Sequence, residues 1–163
     1  MPAAKSKRKS RSKTHRTDGT ANGECFVIMP FGGWFDDYYE TVYQPAIESA
    51  GLAPKRADDI YRPGTIVNDI WSYTKSARII LADLSGKNPN VFYELGLAHA
   101  LEKPVVLVSS NQEDVPFDLR HIRVILYDQG DPFWGQKLVD KLADNIQSAL
   151  ADPEDAIFRV DEV

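Results

Sequence analysis

Two short stretches of this 163-residue chain concentrate side chains suited to chemistry. The first is Met29-Pro30-Phe31-Gly32-Gly33-Trp34-Phe35-Asp36-Asp37, which sets a double glycine among aromatic rings and two carboxylates. The second runs from Ala82 through Asp83-Leu84-Ser85-Gly86-Lys87-Asn88-Pro89-Asn90-Val91-Phe92-Tyr93-Glu94-Leu95-Gly96. Asp83 ends an apolar run, so its carboxylate is expected to face a crevice rather than the core. Asn88 followed by Pro89 is a good helix start, with Asn as N-cap and Pro in the first helical position. Asn90 and Glu94 then lie four apart, on one face and near the positive end of the helix dipole. The result is a carboxylate just inside a helix whose N-terminus points into the crevice. Gly96 costs that helix about 1 kcal/mol relative to Ala, which suggests close approach by another backbone or a ligand.

Each of these residues also has a purely structural reading. Asn88 serves as a cap, Asp83 as a loop-closing acceptor and Glu94 as an acid complementing the dipole. Trp34, Phe35, Tyr38 and Tyr39 could stack on a base or belong to the core. Asp36 and Asp37 suit hydroxyl binding, and equally the acidic first turn of a helix. His99 is five residues beyond Glu94, off its face, and reads as packing. His121, with Arg120 and Arg123, could bind an anion, but reads better as a solvated turn. Three scattered His and one Cys have no metal-ligand spacing. Gly32-Gly33 is neither a Walker A nor a dinucleotide fingerprint, so no metal and no tightly bound cofactor is expected.

The elements that must position these residues follow from periodicity. Cys25 to Met29 reads as a buried strand. Tyr39, Val42, Tyr43, Ala46, Ile47 and Ala50 mark one helix face, closed by Gly51 and kinked by Pro45. Leu52 to Ala57 is a weak second strand. A polar loop from Asp58 to Gly64 leads to a helix over about Thr65–Ser76, with Ile66, Ile70 and Trp71 inward. Arg78–Asp83 is the third strand, Asn88–Glu102 a helix, Pro104–Ser109 the fourth strand and Val124–Tyr127 the fifth. Leu138, Leu142, Ile146 and Leu150 mark a closing helix from about Trp134 to Ala151. Apolar strands alternating with helices imply an α/β fold: a small doubly wound, flavodoxin-like or Rossmann-like parallel sheet of about five strands in the order 2-1-3-4-5, with helices on both faces. At the reversal between strands 1 and 3, ligands bind outside the carboxyl ends of the strands, where both chemical stretches fall.

Composition is ordinary for one globular domain, with 43% apolar and 26% charged residues. One Cys excludes a disulfide framework within the chain. No apolar run is long enough to span a bilayer, and the basic N-terminus lacks the apolar stretch of a secretory signal. A cytoplasmic protein without membrane contact is expected. Residues 1–23 carry seven Lys/Arg against one acid, and the rest twelve basic against twenty-three acidic residues. A basic arm thus precedes an acidic body. With no large hydrophobe after Met1, the arm is expected to be disordered, and weak nonspecific contact with nucleic acid is the most it supports. The expected layout is arm 1–23, domain 24–151 and a C-terminal tail 152–163.

From Cys25 to about Tyr127 the chain resembles the nucleoside 2-deoxyribosyltransferase-like superfamily and its bacterial Toll/interleukin-receptor-like relatives. The matching features are Phe26-Val27-Ile28-Met29-Pro30-Phe31-Gly32, Asp83-Leu84-Ser85-Gly86, Asn88-Pro89-Asn90-Val91-Phe92-Tyr93-Glu94-Leu95-Gly96, and Lys103-Pro104 entering the next strand. The resemblance implies chemistry at an N-glycosidic bond of a nucleoside, nucleotide or NAD. Glu94 would be the nucleophile on the anomeric carbon, where a departing base leaves an oxocarbenium-like centre that a carboxylate can bond to or stabilise. Asp83 would hold a hydroxyl or assist the leaving base. Asn88 and Asn90 would hold sugar hydroxyls. Met29, Phe31, Gly32, Gly33, Asp36, Ser85 and Gly86 would line the sugar or phosphate. A homo-oligomer sharing the pocket is expected from the family. Asn88-Pro89-Asn90 stands where such transferases carry an acid, which favours cleavage over transfer. The alternative is a noncatalytic nucleotide-sensing or assembly module, and a third reading has the arm dominate through nucleic-acid association.

Overall fold

β-Branched and apolar side chains fill every central strand, and they pair as five parallel strands in the order β2-β1-β3-β4-β5. The computed structural model describes residues 21–57 and 66–159. The arm through Thr20, the polar loop at Asp58–Gly64 and the last four residues lie outside the described residues. The strands are β1 (Glu24–Ile28), β2 (Ala53–Arg56), β3 (Ile79–Asp83), β4 (Val105–Ser109) and β5 (Val124–Leu126). β1 is central, pairing Val27 with Arg56 of β2 on one side and Ile28 with Ala82 of β3 on the other. Pro54, which cannot donate to a ladder, sits in the edge strand β2, as its chemistry requires.

Alternation along the strands divides the core. Cys25, Val27, Ile79, Leu81, Val106 and Val108 face one layer, with Tyr43, Ile47, Leu138, Leu142 and Ile146 packed on them. Phe26, Ile28, Ile80, Ala82 and Leu107 face the other, under Val91, Leu95 and Ala98. The first layer is α1 (Trp34–Tyr38), a π-helical turn (Tyr39–Tyr43), α2 (Gln44–Ser49) and α5 (Trp134–Ala151); the second is α3 (Ile66–Ser76) and α4 (Pro89–Ala100). Full burial of each such side chain contributes roughly 1.5–3 kcal/mol.

Pro45 falls just after the π turn, whose wider coil accommodates a residue that lacks an N–H and crowds the preceding turn. The expected face of Tyr39, Val42, Tyr43, Ala46 and Ile47 is buried through this irregularity. Gly51 ends α2 at φ +82°: its N–H donates to Glu48 O (2.9 Å) and that of Leu52 to Ile47 O (3.2 Å), a Schellman closure.

Three features differ from the reading of the sequence. Trp71 is 46% exposed, not inward. Among the described side chains of α3, Ile70 and Thr74 are buried, the Thr74 hydroxyl being satisfied by donating to Ile70 O at 2.7 Å; the side chain of Ile66, also expected inward, lies outside the described residues. Asn22 and Gly23, counted with the arm, bond to the body: Asn22 N–H donates to Gly51 O (3.0 Å), and Gly23 O accepts from Ala53 N–H (2.9 Å). Residues 153–156 form a 3-10 turn, after which Ile157 bridges Pro104 in antiparallel sense and Phe158 packs on His99 at 4.8 Å between ring centres. Among the described residues no helix is long and apolar enough to cross a membrane.

Candidate active site at the carboxyl edge of the sheet

β1 and β3 lie side by side, and β1 turns to β2 on its other flank, so the loops after β1 and β3 leave the sheet at its switch point. α4 starts from the second loop. Asn88 adopts extended φ/ψ, and its Oδ1 accepts the Asn90 N–H at 2.9 Å, with Pro89 in the first helical position. The N-cap expected from Asn88-Pro89 is therefore present. Glu94 follows in the second turn and is 8% exposed. Burial pushes its carboxyl up to about 7. No hydrogen bond joins it to Asp83, Asn88 or Asn90 among the described residues. Burial disfavours the ionised form, so near neutral pH the Glu94 carboxyl is poised between its two protonation states, as suits a nucleophile or a proton-transfer group.

Asp83 differs from expectation. It does not open onto the crevice but is fully buried. Its Oδ2 accepts from Tyr43 O–H at 2.6 Å and from Tyr127 O–H at 3.5 Å, and its Oδ1 accepts from Ser85 N–H at 2.9 Å. Desolvation raises its pKa, while the bonds from Ser85, Tyr43 and Tyr127 oppose that rise. The same network continues outward. Ser85 Oγ lies 3.2 Å from Tyr127 O–H and accepts from Ser110 N–H at 2.8 Å. Tyr127 is buried, and desolvation and the nearby Asp83 charge push its phenol up to about 12. Gly86 N–H donates to Asp114 Oδ2 at 2.7 Å. Ser85 and Gly86 are thus fixed from β3, β4 and β5 together, ahead of the α4 cap.

The loop after β1 is organised differently. Gly32 and Gly33 have φ of +84° and +58°, with no atom within 4 Å of where a Cβ would stand. They leave an open backbone that a ligand could approach closely. Gly32 N–H donates to Asp36 Oδ1 at 3.2 Å, and the same oxygen lies 2.9 Å from Arg56 Nη1. Asp36 Oδ1 is therefore engaged within the loop, while its side chain stays 47% exposed. Met29 Sδ accepts from Arg56 Nη1 at 3.9 Å, and the guanidinium lies over the rings of Phe31 (5.2 Å) and Tyr39 (4.4 Å).

Of the aromatic residues, Tyr39 is core, whereas Trp34 and Phe31 are largely exposed. Tyr38 packs edge-on against Trp134 (4.8 Å), which stacks on Tyr127 (5.3 Å). A Cβ at Gly96 would meet nothing within 4 Å, so of the two neighbours expected there, another backbone is not found among the described residues. His99, with its pKa lowered by burial, packs on Phe158, and His121 lies 5.6 Å from the same ring. These two line a separate cavity of about 490 Å³ between the C-terminal turn and β4–β5, with Val105, Arg123 and Asn145.

Arg56, Tyr43, Tyr127 and Asp114 escaped the sequence reading. Arg56 carried one usable signal, a cation ending a strand at the sheet's carboxyl edge. Tyr43 was legible only as one residue of an apolar helical stripe, because its hydroxyl partner is forty residues away.

No family model and no curated protein sequence matches the chain. Among solved structures, a 2-deoxyribosyltransferase from Bacillus psychrosaccharolyticus matches with TM-score 0.51 at 14% identity, over 64% of this chain and 82% of that one. A Leishmania mexicana 2-deoxyribosyltransferase matches with TM-score 0.45 at 21% identity, over 54% of this chain and 65% of that one. Strand order, the two crevice loops and the first of these matches agree: the chain has the nucleoside 2-deoxyribosyltransferase-like fold.

Proposed function

We propose that the protein cleaves the N-glycosidic bond of a nucleoside, nucleotide or NAD, with Glu94 acting at the anomeric carbon. The observation that carries this reading is the Glu94 carboxyl, nearly buried at the switch-point end of α4 and raised to about 7 by desolvation. In the reaction, a Glu94 oxygen bonds to the anomeric carbon while the bond to the base breaks. The electron pair leaves with the base: the base of a nucleoside or nucleotide takes up a proton, whereas nicotinamide, cationic in NAD, departs neutral without one. Water, or a second base, then attacks the same carbon and releases Glu94. Desolvation favours the attack, because the ionised carboxylate has little stabilisation to lose on forming a neutral ester.

Asn88 and Asn90 bind sugar hydroxyls in this reading. Met29, Phe31, Gly32, Gly33, Ser85 and Gly86 form the backbone walls around sugar or phosphate. Asp36 closes the first wall. Asp83 serves through its hold on Ser85, as its complete burial supports.

The test is a chromatographic product assay. Wild type and Glu94→Gln are each incubated with nucleosides, deoxynucleosides, nucleotides and NAD. Free base or nicotinamide from the wild type, falling by about a thousandfold or more in the variant, is the expected result. No product from the folded wild type at high concentration overturns the proposal in favour of a noncatalytic nucleotide-binding module.

A further inference from the structure

We infer that Arg56 is a positioning residue for the sugar-facing loop, setting how tightly substrate binds rather than how fast the bond breaks. The inference rests on the proposed function, in which the Met29–Gly33 loop walls the sugar or its phosphate. Arg56 ends edge strand β2, in register with Val27 of β1. Its side chain is 7% exposed, a rare state for a guanidinium unless partners compensate its lost hydration. Four of its contacts lie between Met29 and Tyr39: the thioether of Met29, the ring of Phe31, the carboxylate of Asp36 and the ring of Tyr39.

Besides these contacts, the Phe35 N–H donates to Gly32 O at 3.3 Å where the loop enters α1. The loop's tip is Gly32-Gly33, without side chains and with open space around both Cα atoms. Phe31, beside the tip, is 53% exposed, so the guanidinium beneath its ring is an anchor for a side chain that burial does not hold. Asp36 Oδ1 joins the two halves of the device, accepting from Arg56 Nη1 at 2.9 Å and from Gly32 N–H at 3.2 Å. The chain of contacts therefore runs from a rigid strand, through a buried cation and one carboxylate oxygen, to the amide at the loop tip. Preorganising a binding wall lowers the ordering cost that substrate would otherwise meet. The planar fork and ring stacking are properties of Arg that Lys lacks.

The experiment uses the full chain with Arg56→Met, Arg56→Lys and Asp36→Asn, and two readouts. The first is kcat and KM on the substrate identified by the product assay. The second, independent of turnover, is amide order parameters for residues 31–36 from nitrogen-15 relaxation. Arg56→Met should raise KM about tenfold with kcat within about threefold, and Asp36→Asn should share the direction. Arg56→Lys should recover part of the loss. Order parameters in Arg56→Met should fall from the rigid range near about 0.85 toward about 0.6. An unchanged KM with a wild-type loop overturns the inference, as does a loss of kcat at constant KM. A wild type that turns over nothing sinks the proposed function instead, and the order parameters then decide the positioning role alone. Should Arg56→Met not fold, Arg56→Lys and Asp36→Asn carry both readouts.

Discussion

At the scale of single residues, Glu94 and Asp83 show how burial sorts two carboxyls into different tasks. Both are raised by desolvation, but Asp83 is surrounded by donors from Tyr43, Tyr127 and Ser85, whereas burial is the only cause acting on Glu94. A carboxyl that holds its proton more tightly folded than unfolded stabilises the fold below its unfolded pKa, and that contribution is lost as pH rises through the folded value. For Glu94 the window runs from about 4.5 to about 7. Glu94→Gln cannot ionise, so it should be more stable than wild type at pH 8 by on the order of 2 kcal/mol, with the difference vanishing near pH 4. Urea unfolding at the two pH values measures this. A variant less stable than wild type at pH 8 would mean that Glu94 has a structural partner. In the proposed reaction the same titration would set the rate. With Glu94 as nucleophile, kcat/KM should climb as pH rises to about 7 and then level off.

At the scale of elements, helix ends carry most of what periodicity leaves unsaid. Asn88-Pro89 and Gly51 were legible as caps because their chemistry is local: a side-chain acceptor two residues from its donor, and a residue free to adopt positive φ. The end of α4 was expected at Glu102, close to where it falls, but the conformation that closes it was not legible. Glu102 takes φ +50° and closes the helix as Gly51 closes α2, with its N–H to His99 O at 2.9 Å and Lys103 N–H to Ala98 O at 3.0 Å. Nothing in Glu announces that conformation, which glycine adopts without cost. Glu102→Gly should therefore stabilise the protein by about 0.5–1 kcal/mol, seen as a thermal midpoint raised by a few degrees. A lowered midpoint would show that the Glu102 side chain contributes more than its backbone strain removes. Similarly, Trp71, expected inward, is exposed, and the buried Thr74 is accommodated by bonding back to its own helix.

At the scale of the whole molecule, charge is divided between an arm of seven cations and a body with an excess of acids. The hydrogen bonds of Asn22 and Gly23 to the body put the useful truncation point at residue 20, not 23. Deleting residues 1–20 should leave the proposed glycosidic turnover and the thermal midpoint within error. It should abolish any salt-sensitive retention on duplex DNA, measured by fluorescence anisotropy at two salt concentrations. Loss of turnover on deletion would tie the arm to the active site. The opposite terminus likewise returns to the fold, through the Ile157–Pro104 bridge and the packing of Phe158 on His99.

The sequence by itself determined the strand order, the element sequence and the two loops at the switch point. Each of these rests on local periodicity and on the general chirality of parallel sheets. It also singled out Glu94, since a helix start and a residue four beyond Asn90 can be counted along the chain. Tertiary structure alone decided which carboxylate is enclosed and which is held: Asp83 beneath Tyr43 and Tyr127, and Asp36 against Arg56. Those partners lie twenty to forty-four residues apart in sequence. Hydrogen bonds and desolvation depend on distance in space, and no spacing rule along one strand or helix encodes a neighbour that another strand supplies.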